Sequence, residues 1–162
     1  MFDNLKILFI GGDQLRHLYY LNQIHKIFPV TSAIIENRVS GTNIQVPIPP
    51  SDLSEHDKNN FLKHFSQRFE SEKVFFGNQA LPDIPILNIE QSELNSNKTT
   101  DFVKSINPDL VLIFGCHLIK DPLLSVLPKH TINLHGGLSS RYRGTATMFW
   151  PFYFLEPNHV GT

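Results

Sequence analysis

The sequence predicts an α/β fold: an open, mostly parallel sheet with helices on both faces. Three observations predict it. The apolar run at residues 6–10 stops at Gly11 and Gly12 and gives way to a stretch of helical period. A second apolar run follows at 30–35, which completes a strand–helix–strand unit whose strands lie parallel with a right-handed crossover. The run Leu-Val-Leu-Ile-Phe at 110–114 has no polar alternation, so it reads as a strand buried on both faces, as parallel strands are.

The elements follow in order. Residues 14–28 form a helix with Leu15, Leu18, Tyr19, Ile24 and Phe28 near one face, and Pro29 helps to stop it. Residues 41–50, with Pro47, Pro49 and Pro50, read as a loop away from the sheet. A helix begins at Ser51 or Ser54, with Glu55 and Asp57 in its first turn and Phe61, Leu62, Phe65 and Phe69 as its apolar face. A strand at 84–89 is followed by a helix at 96–107, ended by the Asn107-Pro108 step. After the strand at 110–114 comes a loop, then a short helix at 122–127 with Asp121 as N-cap and Pro122 at its first position. The next strand starts at Thr131 and carries Asn133 and His135. An aromatic helix at 148–155 ends at Pro157, and residues 159–162 look like the opening of a further strand with no partner.

Composition narrows the function. The chain has 162 residues, 41% hydrophobic and 18% charged, which suits a single globular domain over 1–162. The net charge is −1 with no basic block, so the sequence carries no nucleic-acid footprint, although a local cluster could still hold a phosphate. Cys116 is the one cysteine, so an internal disulfide is impossible and a cytoplasmic location is expected. No secretory pattern and no run of membrane-spanning length is present. Thirteen Phe at core-like spacings are read as packing.

Two stretches carry chemistry. Gly11 and Gly12 end a parallel strand, at the sheet edge where open α/β folds bind ligands. The dinucleotide fingerprint G-x-G-x-x-G is absent, which discounts NAD. Arg16 and His17 could meet an anion beside the free N–H groups of the helix start, or could be solvated first-turn residues. The second stretch is 131–144, with Asn133 and His135 two apart, Gly136-Gly137, and Arg141 and Arg143. Side chains alternate along a strand, so Asn133 and His135 are expected on one side. An amide there can donate to an oxygen gaining negative charge, and an imidazole can move a proton near neutral pH. A structural polar pair held by loop backbone is the competing reading. No His and Cys spacing makes a tetrahedral metal set, so no metal is expected.

The stretch from Thr131 to Thr162 resembles the formyltransferases that use N10-formyltetrahydrofolate. Their hallmark is Asn-x-His on a strand, a loop ending in Arg-Gly or Lys-Gly, an aromatic helix and a Gly-Val-Thr-type strand. The corresponding parts here are Asn133-Leu134-His135, the loop from Leu138 to Arg143-Gly144, Phe149-Trp150 and Val160-Gly161-Thr162. Upstream, Pro108-Asp109-Leu110, the apolar strand, Gly115 and the Ile-Lys-Asp-Pro-Leu-Leu start at 119–124 are similar to the family's folate-contacting region. Two features depart from the pattern. Ser139 and Ser140 stand where the loop proline is usual, and the family's catalytic Asp would fall beyond Thr162.

The resemblance implies a Rossmann-like formyltransferase fold, incomplete at its C-terminal end, and a fragment inactive without that Asp. It implies formyl transfer from N10-formyltetrahydrofolate to the amine of a small or nucleotide-linked amino-sugar substrate, with no nucleic acid or membrane partner and a homo-oligomer as an option. Asn133 would be the oxyanion donor and His135 the proton carrier. Gly115, Cys116, His117, Leu118 and Ile119 would contact the cofactor, mainly through backbone. Gly11, Gly12, Arg16, His17, Arg141 and Arg143 would face the substrate; the two loop arginines could hold a diphosphate or pack on Tyr142. A non-catalytic binding domain and a formyltetrahydrofolate hydrolase remain as alternatives on the same scaffold.

Overall fold

The computed structural model describes residues 5–37, 48–144 and 147–161. Most of the expected 41–50 loop, together with Thr145 and Thr162, lies outside them. The elements are β1 (Ile7–Gly12), α1 (Leu15–Ile27), β2 (Ser32–Asn37), α2 (Glu55–Phe76), β3 (Ile86–Glu90), α3 (Asn97–Ile106), β4 (Leu110–Phe114), β5 (His130–Asn133) and α4 (Trp150–Tyr153). The five strands form one sheet in the order β3-β2-β1-β4-β5. Every neighbouring pair is parallel.

Alternation along β1 explains why both faces need helices. Leu8 and Ile10 join Ile34, Ile89 and Val111 in one apolar cluster, closed by Val103 of α3 and by Leu94 and Leu123. Ile7 and Phe9 join Ala33, Ile35 and Leu112 in the other, closed by Leu21 of α1 and Val30. Each such side chain contributes roughly 1.5–3 kcal/mol when fully buried, so the paired clusters fix the register of β1 between β2 and β4. The expected α/β sheet with helices on both faces is therefore what forms.

Caps set the helix ends. The Ser54 hydroxyl accepts the Asp57 N–H at 3.1 Å and starts α2. Ser96 does the same for Thr99 at the start of α3. Asn107, at φ 50°, takes the left-handed turn that ends α3 before Pro108.

The α2 stripe that is half-buried runs Phe61, Phe65, Phe69, Glu72 and Phe76, and it omits the expected Leu62, which is exposed. It packs on α1: Tyr19 meets Phe76 at a ring distance of 5.2 Å, and Arg16 pairs with Glu72 at 2.7 Å.

Three expectations at the C-terminal end need correction. The turn after β4 is a single 3-10 turn at Leu124–Val126 whose cap is Leu123, not a helix capped by Asp121. The Lys120 carbonyl accepts the Leu124 N–H at 2.9 Å, and the Pro122 carbonyl accepts the Ser125 hydroxyl at 2.8 Å, so main chain from 120 to 125 sets the turn. The aromatic helix is only four residues long, and Leu155 leaves it with a left-handed φ of 57°. Pro157 then opens a 3-10 turn rather than closing a helix. Val160 does have a partner: it bridges Gly137 antiparallel, flanked by bonds from Leu138 N–H to His159 C=O and from Gly161 N–H to Gly136 C=O at 3.0 and 3.1 Å.

Candidate active site

Parallel strands bring their carboxyl ends to one edge, and the strand order reverses between β1 and β4. Gly11 and Gly12 end β1, Gly115 follows β4, and Asn133 ends β5. Glu36, near the end of β2, is level with Gly12 in the sheet register. The sequence-chosen glycine turns and the Asn-x-His stretch thus share one edge.

His17 fills the point of reversal. A Cβ on Gly12 would lie 2.7 Å from its Nδ1, and one on Gly115 would lie 2.2 Å from its Nε2. The ring is 1% exposed and meets Phe114 edge-on at 4.7 Å. It is neither a solvated first-turn residue nor one with open surface toward a ligand. Arg16 likewise does not stand free in solvent. Its guanidinium donates to both oxygens of Glu72 at 2.7 and 2.9 Å and also to the Gln14 side chain.

The loop after β4 is held from two sides. The His117 N–H donates to Glu36 Oε2 at 3.0 Å, and its Nδ1–H donates to Glu36 Oε1. The Asn95 amide donates to the Leu118 carbonyl at 3.0 Å and accepts the Lys120 N–H at 2.7 Å. Cys116 and Ile119 pack against the cluster that holds Val111. Leu118 points outward, 72% exposed. Among the described residues, nothing is hydrogen-bonded to the N–H of Leu118 or to the N–H and C=O of Ile119. A flat heterocycle with adjacent donors and acceptors, such as a pterin, fits an edge of this kind.

Asn133 is exposed and pairs with Ile113 in the sheet. The ladder continues one bond further, through the Leu134 N–H to the Ile113 carbonyl at 2.9 Å, and then β5 gives way to loop. His135 therefore lies beyond the strand that was expected to carry it, because the backbone turns at Gly136-Gly137 to meet Val160. Its Nδ1 is 2.9 Å from the Gly137 carbonyl and its Nε2 is 3.3 Å from that of Gly144. A carbonyl only accepts, so the shorter contact assigns the proton to Nδ1. The Gly137 carbonyl thus holds the ring through Nδ1–H, and Nε2 keeps its lone pair.

That loop is clamped in turn. Arg141 forms a two-point pair with Glu156, with Nε to Oε2 at 2.7 Å, and the Tyr142 hydroxyl donates to the same carboxylate. An anion would have to displace Glu156 to reach Arg141. Arg143 is exposed and makes no ion pair among the described residues. Hydrogen bonds from Tyr142 and then Arg141 hold the Glu156 carboxyl below its ordinary value of 4.5. A lowered carboxyl favours the folded charged form, so the clamp is complete above about pH 4.5 and is lost as pH falls through the lower folded value. The protection factors of the Arg141 and Tyr142 amides, whose N–H groups bond to the Leu138 carbonyl, should fall as pH drops through that lowered value. Glu156→Gln should remove that acid step; the same step in the variant would count against the clamp.

The formyl transferase family profile matches residues 22–153. The chain belongs to the formyl transferase family. A methionyl-tRNA formyltransferase of Geobacter sulfurreducens is 33% identical over 69 residues, which are 42% of this chain and 21% of that one. Two solved phosphoribosylglycinamide formyltransferases share the fold. The one from Anaplasma phagocytophilum has a TM-score of 0.57 at 12% identity, over 94% of this chain and 59% of its own. The one from Streptococcus pneumoniae has a TM-score of 0.54 at 13% identity, over 93% and 67%. This formyl transferase chain thus spans about a fifth of the first relative and about three fifths of the first structure. No helix among its described residues is long and apolar enough to cross a membrane.

Sequence reasoning did not find Glu36, Asn95 or Glu156. Glu36 had a signal: it is a carboxylate closing an apolar run at the ligand edge, and ending the strand at Ile35 hid it. Asn95 and Glu156 act through contacts 23 to 25 and 14 to 15 residues away, which no local pattern encodes.

Proposed function

We propose that this chain forms the N-terminal domain of an N-formyltransferase that takes its formyl group from N10-formyltetrahydrofolate and passes it to an amine. What carries the reading is one juxtaposition on a chain of this family: Asn133 ends β5 and His135 follows it, on the strand beside β4 and its half-paired loop backbone. The backbone of residues 115–119 would hold the donor's heterocycle, which brings a one-carbon unit at the formate oxidation level. Asn133 would place its amide N–H against the formyl oxygen as charge grows there, a contact worth roughly 3 kcal/mol. His135, held by Gly137 through Nδ1–H, would take the proton that leaves the attacking amine on Nε2 and return it to N10 as the bond from N10 to the formyl carbon breaks and tetrahydrofolate leaves.

The acceptor class we favour is a small amine, such as a nucleotide-linked amino sugar. A net charge of −1 without a basic stripe supports that choice over an RNA-borne amine. Arg143, exposed on the loop beside His135, is the cation we assign to an anionic acceptor group; Arg141 could join it only by leaving Glu156.

The test is to incubate the protein as encoded with N10-formyltetrahydrofolate and a panel of amino-sugar nucleotides, and to follow formamide and tetrahydrofolate together. Stoichiometric formamide on one acceptor is the expected result. Formate release without any acceptor would replace transfer by hydrolysis, and no turnover of the donor at all would leave a binding domain.

A further inference from the structure

We propose that Glu36 and Asn95 are positioning residues that preset the loop after β4 for the formyl donor; this rests on the reading of residues 115–119 as the donor's contact edge. Glu36 is 0% exposed. A carboxylate is expensive to bury unless its oxygens are well paired, and both of these oxygens are spent on one residue, His117, 81 positions along the chain. It stands on β2, with β1 between it and β4, and the residue beside it on β1 is Gly12, which has no side chain to block the reach.

Asn95 completes the hold from the turn before α3. Its one amide bonds a carbonyl and an N–H two residues apart, Leu118 and Lys120. Between them the two side chains take up the His117 N–H, the Leu118 C=O and the Lys120 N–H. The Leu118 N–H and both polar groups of Ile119 stay unbonded among the described residues. A loop pinned at three points with its intervening groups left open is ordered before the ligand arrives, so binding does not bear the cost of ordering it.

The experiment titrates 5-formyltetrahydrofolate, as an unreactive probe, into the unsubstituted protein and into Asn95→Ala, Glu36→Ala and Glu36→Gln, with thermal midpoints and amide exchange at His117 and Lys120 recorded alongside. Asn95→Ala should weaken the probe about tenfold while the protein stays folded, with the Lys120 amide deprotected. Glu36→Ala should lose at least as much. Glu36→Gln keeps an acceptor for the His117 N–H and should recover most of the affinity. A half-buried position makes Asn95→Ala informative even where Glu36→Ala fails to fold. Probe affinity unchanged in a folded Asn95→Ala would overturn the inference and leave the donor site standing. An unsubstituted protein that does not bind the probe would overturn the donor-site reading itself, and this inference with it.

Discussion

Alanine at His135 should slow formyl transfer by about 10²- to 10⁴-fold, and alanine at Asn133 by about 10²- to 10³-fold, with the fold kept in both. The separation of activity from stability follows from where the two side chains sit. Asn133 is exposed on an edge strand, and its neighbours hold the ladder through main chain: Leu134 N–H to Ile113 C=O. His135 is half-buried in a loop, outside both apolar clusters. Thermal midpoints should therefore move little while turnover collapses. Two further replacements sharpen the roles. Asn133→Asp keeps the shape but presents a negative charge to an oxygen gaining the same charge, so it should be no faster than alanine. His135→Asn can still donate toward the Gly137 carbonyl but cannot relay a proton, so it should also stay slow. Wild-type turnover in either alanine variant, measured in the protein as encoded, would remove that residue from the chemistry.

Much of the fold could be read in the sequence because its signals were local and mutually consistent. β4 was placed to the residue because an apolar run is bounded by Asp109 and Gly115, and α3 to within one residue at each end because Ser96 and Asn107-Pro108 cap it. β2 slipped by two residues, since Ser32 and Glu36 look polar in the sequence but both are buried in the sheet. Those two are where long-range contact overrode pattern. The site was legible by type and not by geometry. The family-like spacing pointed to Asn133, His135 and the loop after β4. It could not say that β5 stops at Asn133, that Arg141 is occupied by Glu156, or that His17 packs inside the sheet edge. Each of those is decided by a partner from a distant part of the chain: Val160 for the turn after His135, Glu156 for Arg141 and Gly115 for His17.

That last contact carries the largest effect expected on stability. Gly115→Ala should destabilise the fold by about 3–5 kcal/mol, the sum of backbone strain and crowding. Gly115 has φ +77°, which an L side chain tolerates poorly, and its new Cβ would sit 2.2 Å from His17 Nε2. The imidazole has nowhere to go: it is 1% exposed, with Phe114 against its edge and Gly12 on its other nitrogen. Two other glycines separate the contributions. Gly77 has φ +66° and ψ −171° with nothing within 4 Å of its Cβ position, so Gly77→Ala carries strain alone, about 1–3 kcal/mol. Gly12→Ala carries crowding without left-handed strain, its Cβ meeting His17 Nδ1 at 2.7 Å, and should cost about 1–3 kcal/mol. Trimming the ring should then rescue only the crowded part: His17→Ala in the Gly115→Ala background should recover stability relative to the sum of the single changes, as a coupling of at least about 1 kcal/mol in a double-mutant cycle. Denaturant unfolding reads all of these. If Gly115→Ala proves no worse than Gly77→Ala, or if the cycle shows no coupling, His17 is not the wedge that holds the β1 and β4 ends in place, and the arrangement of the whole ligand edge would have to be drawn without it.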